Sequence, residues 1–182
     1  MIIFSIGIVH AYGHKPIQSD EQNTTIEGAL IIPDHKISWV IYEELEPYQK
    51  KFYQFEANEG DSFYASIVIP KLEGQERYKP SLGLVFGDEI KDSNTIQTSL
   101  TQTGLISNYD GIIPSKEFYE PFGQVTYWER QEIKISIPKD GIYYLVVFDT
   151  QGMKGKLSLA IGTIEDFGFL DFYRCSQLPV SR

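Results

Sequence analysis

A chain of 182 residues with 42% apolar and 14% aromatic residues is long enough to bury one core and has a globular, not a disordered, composition. Its formal net charge of −9 repels phosphate backbones, which argues against nucleic acid as a partner, and no basic patch of the membrane-surface type is present. The single cysteine, Cys175, excludes an intrachain disulfide.

Residues 1–9 (MIIFSIGIV) form an apolar run of the kind found in export signals, and Ala11-Tyr12-Gly13 puts small residues at the −3 and −1 positions of a cleavage site. The run lacks a basic n-region and is too short to cross a bilayer as a helix. The expected division is a signal segment over 1–13, a lead-in over 14–36, a β-sandwich domain over 37–168 and a tail over 169–182. This places the mature protein outside the cytoplasm, secreted or at the cell surface. The tail is too short and polar for a membrane anchor. Asn23-Thr24-Thr25 is an N-glycosylation sequon that an exported loop could carry.

Short runs of β-branched and aromatic residues dominate, with no sustained 3.6-residue period. Residues 37–45 (ISWVIYEEL) suit a strand or one helical turn. Residues 51–57 (KFYQFEA) read as a strand, 58–61 as a turn around Gly60, and 62–70 (SFYASIVIP) as the return strand of a hairpin. Another strand is expected at 81–87. A long polar excursion over 88–123 follows, broken by Gly104, Gly111, Pro114 and Pro121. Strands follow at 124–128, 131–138, 141–149 and 155–162, with turn signals at Lys139-Asp140-Gly141 and Thr150-Gln151-Gly152. Alternation over 132–137 predicts one wet face. The apolar YYLVVF run predicts a central strand covered on both sides, with Tyr144, Val146 and Phe148 on one face and Leu145 and Val147 on the other. The fold class is therefore all-β: an antiparallel, jelly-roll-like β-sandwich with few or no long helices.

The stretches 53–67 (YQFEANEGDSFYASI), 80–87 (PSLGLVFG) and 132–162 (EIKISIPKDGIYYLVVFDTQGMKGKLSLAIG) resemble the pre-peptidase C-terminal domain family. That resemblance covers roughly 52–162 and implies a jelly-roll-like sandwich used as an accessory module of exported proteins. Leu157 stands where the family often has Tyr, and 88–123 is an insertion relative to a short module. The chain also resembles uncharacterised exported proteins of archaea and bacteria, through HKPI at 14–17, VIYEEL at 40–45, PSLGL at 80–84, EPFG at 120–123, the 141–162 stretch and EDFG at 165–168. That likeness implies export and fold, with no activity attached.

Several constellations carry candidate chemistry. Gly60-Asp61-Ser62 has the look of a hydrolase nucleophile block, but the required histidine base would come from further along the chain, and no histidine follows His35. The turn reading prevails. Glu43, Glu44 and Glu46, and Glu117 with Glu120, are available as carboxylate pairs, though in an acidic protein such clusters are usually a solvated face. Residues 86–92 (FGDEIKD) and 148–152 (FDTQG) offer carboxylate and carbonyl oxygens to Ca²⁺ without the spacing of an EF-hand. In FYEPFGQVTYW (118–128), the rings of Tyr119, Phe122, Tyr127 and Trp128 could stack on a glycan or peptide; buried, they would instead plug one end of the core. Cleavage after Gly13 would make His14 the N-terminus. Its α-amine and imidazole could then chelate copper, with His35 completing a two-histidine brace. The expected function is an exported, non-catalytic binding or scaffolding module that meets a cell-surface protein or glycan and needs no cofactor. The alternatives are a copper-binding protein using His14 and His35, and a carbohydrate-binding module.

Overall fold

The computed structural model describes residues 14–19, 22–90, 100, 104–121 and 123–166. Eleven strands are seen in them. The first four are β1 (Lys15–Pro16), β2 (Leu30–Ile31), β3 (Trp39–Leu45) and β4 (Lys50–Ala57). Next come β5 (Ser62–Pro70), β6 (Ser81–Phe86), β7 (Leu105–Ser107) and β8 (Glu117–Glu120). The last three are β9 (Val125–Ser136), β10 (Gly141–Phe148) and β11 (Gly155–Ile161), and one 3-10 turn, Gly87–Glu89, follows β6. Among the described residues no helix is long and apolar enough to cross a membrane. The all-β expectation is met.

The strands form two sheets, ordered β1-β3-β11-β5-β9-β8 and β2-β4-β10-β6-β7. The chain changes sheet at most of its connections. The turn at 58–61 is therefore not a hairpin: β4 and β5 lie in different sheets, and the turn arches between them. Gly60 takes a φ of 86° there, as a tight reversal requires, but a reversal of this kind serves an arch as well as a hairpin. The stretch 37–45 resolves as a strand, and the two segments read at 124–128 and 131–138 are one long strand, β9. A bulge links its halves: Val68 pairs with Glu129 and Ser66 with Glu132, so Arg130 and Gln131 together face Ile67. The 88–123 excursion contains β7 and β8.

The lead-in residues are part of this architecture. β1 runs parallel to β3 and β2 parallel to β4, so the segment 14–36 adds one edge strand to each sheet. Between the sheets lies an aromatic core in which Phe55 stacks on Phe63 (4.8 Å between centroids) and on Tyr143 (5.6 Å). β10 behaves as its sequence predicts. Tyr143, Leu145 and Val147 enter this core, while Val146 and Phe148 join Phe52, Val85 and Leu100 in a second cluster on the outer face, with Tyr144 packed against it.

Candidate functional site

The residues singled out in the sequence occupy several surroundings. His14 places Nδ1 2.6 Å from the Ser38 hydroxyl; packing around its ring pushes its pKa below the ordinary histidine value, against the opposing pull of Glu120 and Glu165. His35 is buried (2% exposed) in the β2–β3 connection, its ring 5.1 Å from that of Phe55. Its Nδ1 lies 3.1 Å from the Glu56 carbonyl, and its enclosed Nε2 finds no hydrogen-bond partner among the described residues, with Asp61 at 3.7 Å. Burial lowers its pKa, while Asp61, the Glu56 carbonyl and Asp34 pull it up. The two histidines thus contact different groups. Among the described residues, no group of three or more His, Cys, Asp or Glu side chains is placed to hold a metal.

Of the aromatic candidates, Tyr119 is exposed (59%), on edge strand β8. Tyr127 and Trp128 are buried, Tyr127 stacked on Phe118 at 5.5 Å and Trp128 donating Nε1–H to Glu117 at 3.2 Å. Phe122, Cys175 and residues 1–13 lie outside the described residues. The carboxylate clusters are engaged. Glu44 and Glu46 flank Lys154 at 2.8 and 2.6 Å, and Glu117 meets Lys71 at 2.8 Å. Asp149, in one of the acidic loops, accepts from the backbone N–H groups of Tyr48, Gln151, Gly152 and Met153, so its carboxylate holds a turn.

Asn23 corrects the sequon reading. It is fully buried, its amide donating to Glu43 (3.1 Å) and accepting from Lys51 (3.0 Å), so the folded chain does not present it to a glycosylating enzyme. Glu43 belongs to β3 and Lys51 to β4, in facing sheets, and Tyr53 donates its hydroxyl to the same Glu43 oxygen at 2.9 Å. Burial and Glu43 push the Tyr53 pKa well above the ordinary tyrosine value. Sequence reasoning placed Glu43 in a solvated acidic cluster and did not single out Lys51. Register was the available signal: Glu43 alternates with Ile41 and Leu45, and Lys51 with Tyr53 and Phe55, on inward-facing positions.

Sequence reasoning also missed a cleft of about 410 Å³ on the outer face of the second sheet, beside the start of β6 and the end of β10. Ile106 and the Phe148 ring contribute its apolar lining; Ser81, Asn108, Tyr109, Thr150 and Gln151 supply hydroxyl and amide groups, and Lys79 a cation. The described lining residues include no carboxylate, in a chain that has 25. The cleft is braced. The Ser81 hydroxyl donates to Asn108, Tyr109 donates to the Ile112 carbonyl at 2.9 Å, and the Arg130 guanidinium lies 5.3 Å from the Tyr109 ring. The bulge in β9 aims that guanidinium, which donates to the carbonyls of Glu76, Tyr78 and Glu129 and to Ser115. Neither Lys79 nor Arg130 has a carboxylate partner among the described residues.

No protein-family model matches the chain, and no curated protein matches it. Among solved structures it is similar to PliG of Aeromonas hydrophila, a periplasmic inhibitor of g-type lysozyme, at 13% identity over 82% of this chain and 98% of that one, with a TM-score of 0.44. It is similar to the pre-peptidase C-terminal domain of a Bacillus anthracis collagenase at 14% identity, over 72% of this chain and 91% of that one, with a TM-score of 0.41. It is also similar to CorA of Methylomicrobium album BG8, a surface-associated copper-binding protein, at 9% identity over 75% and 98%, with a TM-score of 0.39. None of these similarities assigns a ligand or an activity to the chain.

Proposed function

We propose that the protein is an exported, non-catalytic binding module whose outer-face cleft takes a hydroxyl-rich ligand of the glycan type. The observation that carries this reading is the cleft lining: hydroxyl and amide groups, with Ser81 held to Asn108 and Tyr109 to the Ile112 carbonyl, beside the Phe148 and Tyr109 rings, and among the described residues one cation and no carboxylate. Rings match the apolar faces of a sugar, and hydroxyl and amide groups match its rim. Lys79 favours sugars that carry a carboxylate over neutral ones. The export half of the proposal draws on the apolar run at 1–9 and the small-residue step at 11–13; β1 begins after Gly13, so cleavage there removes no described strand. Recognition at the cleft does not call on His14 or His35, and the enclosed ring of His35 supports this reading over a two-histidine copper brace.

Titration calorimetry with neutral and uronic-acid oligosaccharides tests the proposal. Tyr109→Ala and Asn108→Ala should each weaken binding at least about tenfold, roughly 1.4 kcal/mol. Lys79→Ala should weaken only the acidic ligands, and Tyr119→Ala should leave affinity within about twofold. Absence of binding by either ligand class at millimolar concentration would refute the reading. Loss of binding through Tyr119→Ala instead of Tyr109→Ala would move the site to β8.

A further inference from the structure

Asn23, Glu43 and Lys51 are three polar side chains held together in the core, with exposures of 0%, 6% and 2%. Such a trio is costly to bury as a plain ion pair, because desolvation commonly offsets the Coulomb attraction. Its geometry fits a reaction. The Lys51 nitrogen lies 3.0 Å from Asn23 Oδ1, and a carbonyl bond of about 1.23 Å then keeps Asn23 Cγ within about 4.2 Å of that nitrogen. Glu43 touches both reactants: Oε1 accepts from the Asn23 amide nitrogen at 3.1 Å, and Oε2 is 3.5 Å from Lys51. The Asn23 backbone carbonyl accepts from the Phe52 backbone N–H at 2.7 Å and Tyr53 anchors Glu43 at 2.9 Å, so both partners of Lys51 are held in place.

We infer that Lys51 and Asn23 become joined by a self-catalysed isopeptide bond, with Glu43 as the general acid and base. Glu43 takes a proton from the Lys51 ammonium, and the freed lone pair attacks Asn23 Cγ, sending the carbonyl π pair onto Oδ1. Glu43 protonates the amide nitrogen of the tetrahedral intermediate. The carbonyl re-forms, the Cγ–Nδ2 bond breaks, and its electron pair leaves with ammonia. Of the three ammonium hydrogens, one stays on the new amide nitrogen, one completes ammonia, and one remains on Glu43 or departs with the ammonia as ammonium. No oxidant or cofactor takes part. Fixed proximity supplies the acceleration, and the closed core excludes water that would otherwise hydrolyse the intermediate. The product replaces a buried ammonium with a neutral amide, which removes the desolvation cost of that cation, and a proton kept on Glu43 removes the cost of the carboxylate as well. The bond ties the lead-in to β4 and does for this chain what a disulfide cannot, since it has one cysteine.

Mass spectrometry of the folded full chain tests this directly, once its N-terminal residue has been identified. The mass should be lower than the sequence requires by one ammonia. In a tryptic digest the peptide that contains Asn23 should remain attached through Lys51 to the peptide spanning 51–71, with no cleavage after Lys51. Glu43→Gln keeps the side-chain shape; folded by circular dichroism, it should show full mass and two separate peptides, and Lys51→Met should do the same. A folded wild-type chain of full mass after prolonged incubation overturns the inference. So does an ammonia loss that maps elsewhere, or a Glu43→Gln chain that cross-links as completely as the wild type.

Discussion

Val146→Asp places a carboxylate in the middle of β10, among apolar side chains. Val146 is fully buried, pairs across the sheet with Phe52 and Gly83, and shares the outer cluster with Leu100 and Phe148. The space is tight: a Cβ on the neighbouring Gly83 would come 2.6 Å from the Leu100 side chain. Full burial raises a carboxyl pKa by about 3 to 5 units, and because the unfolded value is near 3.9, only the part of that shift lying below pH 7 counts at neutral pH, which is about 4 kcal/mol of lost stability. Domains of this size lose roughly 2–4 °C of melting temperature per kcal/mol, so a fall on the order of 8–16 °C is expected. Val146→Asn is the control, because it loses the same packing without gaining a charge. The folded-state pKa of the introduced carboxyl is raised, so its penalty is present above that pKa and disappears below the unfolded value near 3.9. The gap between the two variants should therefore shrink by about 1.4 kcal/mol per pH unit on acidification from pH 7 towards pH 5. Urea unfolding followed by tryptophan fluorescence measures it through Trp39 and Trp128. Equal stability of the two variants at pH 7, or a gap that ignores pH, would refute the two-sided burial of β10.

Two further outcomes are expected. Gly162→Ala should destabilise the fold by at least about 1–2 kcal/mol, since Gly162 has a φ of 74° and a Cβ there would lie 2.1 Å from the Ile37 carbonyl oxygen; an unchanged denaturant midpoint would count against this packing. The His35 pKa is depressed by burial, so the unfolded chain takes up the proton first, and the stability contributed by the neutral ring is lost as pH falls through about 6.5. His35→Phe should therefore lose less melting temperature than the wild type between pH 7.5 and pH 5.5, and equal losses would show that the ring does not titrate on unfolding.

Local pattern carried the strands well. The apolar run of β10 announced a strand covered on both faces, and the alternation at 132–137 gave one wet face, as observed for Glu132 and Lys134 outside and Ile133 and Ile137 inside. Which strands pair was not legible. The residues 58–61 reverse the chain without indicating whether the next strand joins the same sheet, and nothing in two-residue strands such as β1 and β2 signals a parallel edge. The site residues were hidden by their own chemistry. Glu43 sits next to Glu44 in sequence, and one strand position sends the first into the core and the second to Lys154 at the surface. The cleft unites residues from three separate stretches, 79–81, 106–109 and 148–151, and no single one of them has a motif.

The position of β3 has a bearing on when the chain folds. Its two neighbours are β1, the first described strand, and β11, the last. That sheet cannot be completed until β11 has emerged, about 110 residues after β3. Long-range closure of this kind makes folding slow, in the millisecond-to-second range typical of all-β domains. Delay of that order is compatible with the proposed export, in which a chain would cross a membrane as an extended thread before it folds. It also means that a truncation anywhere before Gly155 should release a sticky, incomplete sheet and not a smaller stable domain.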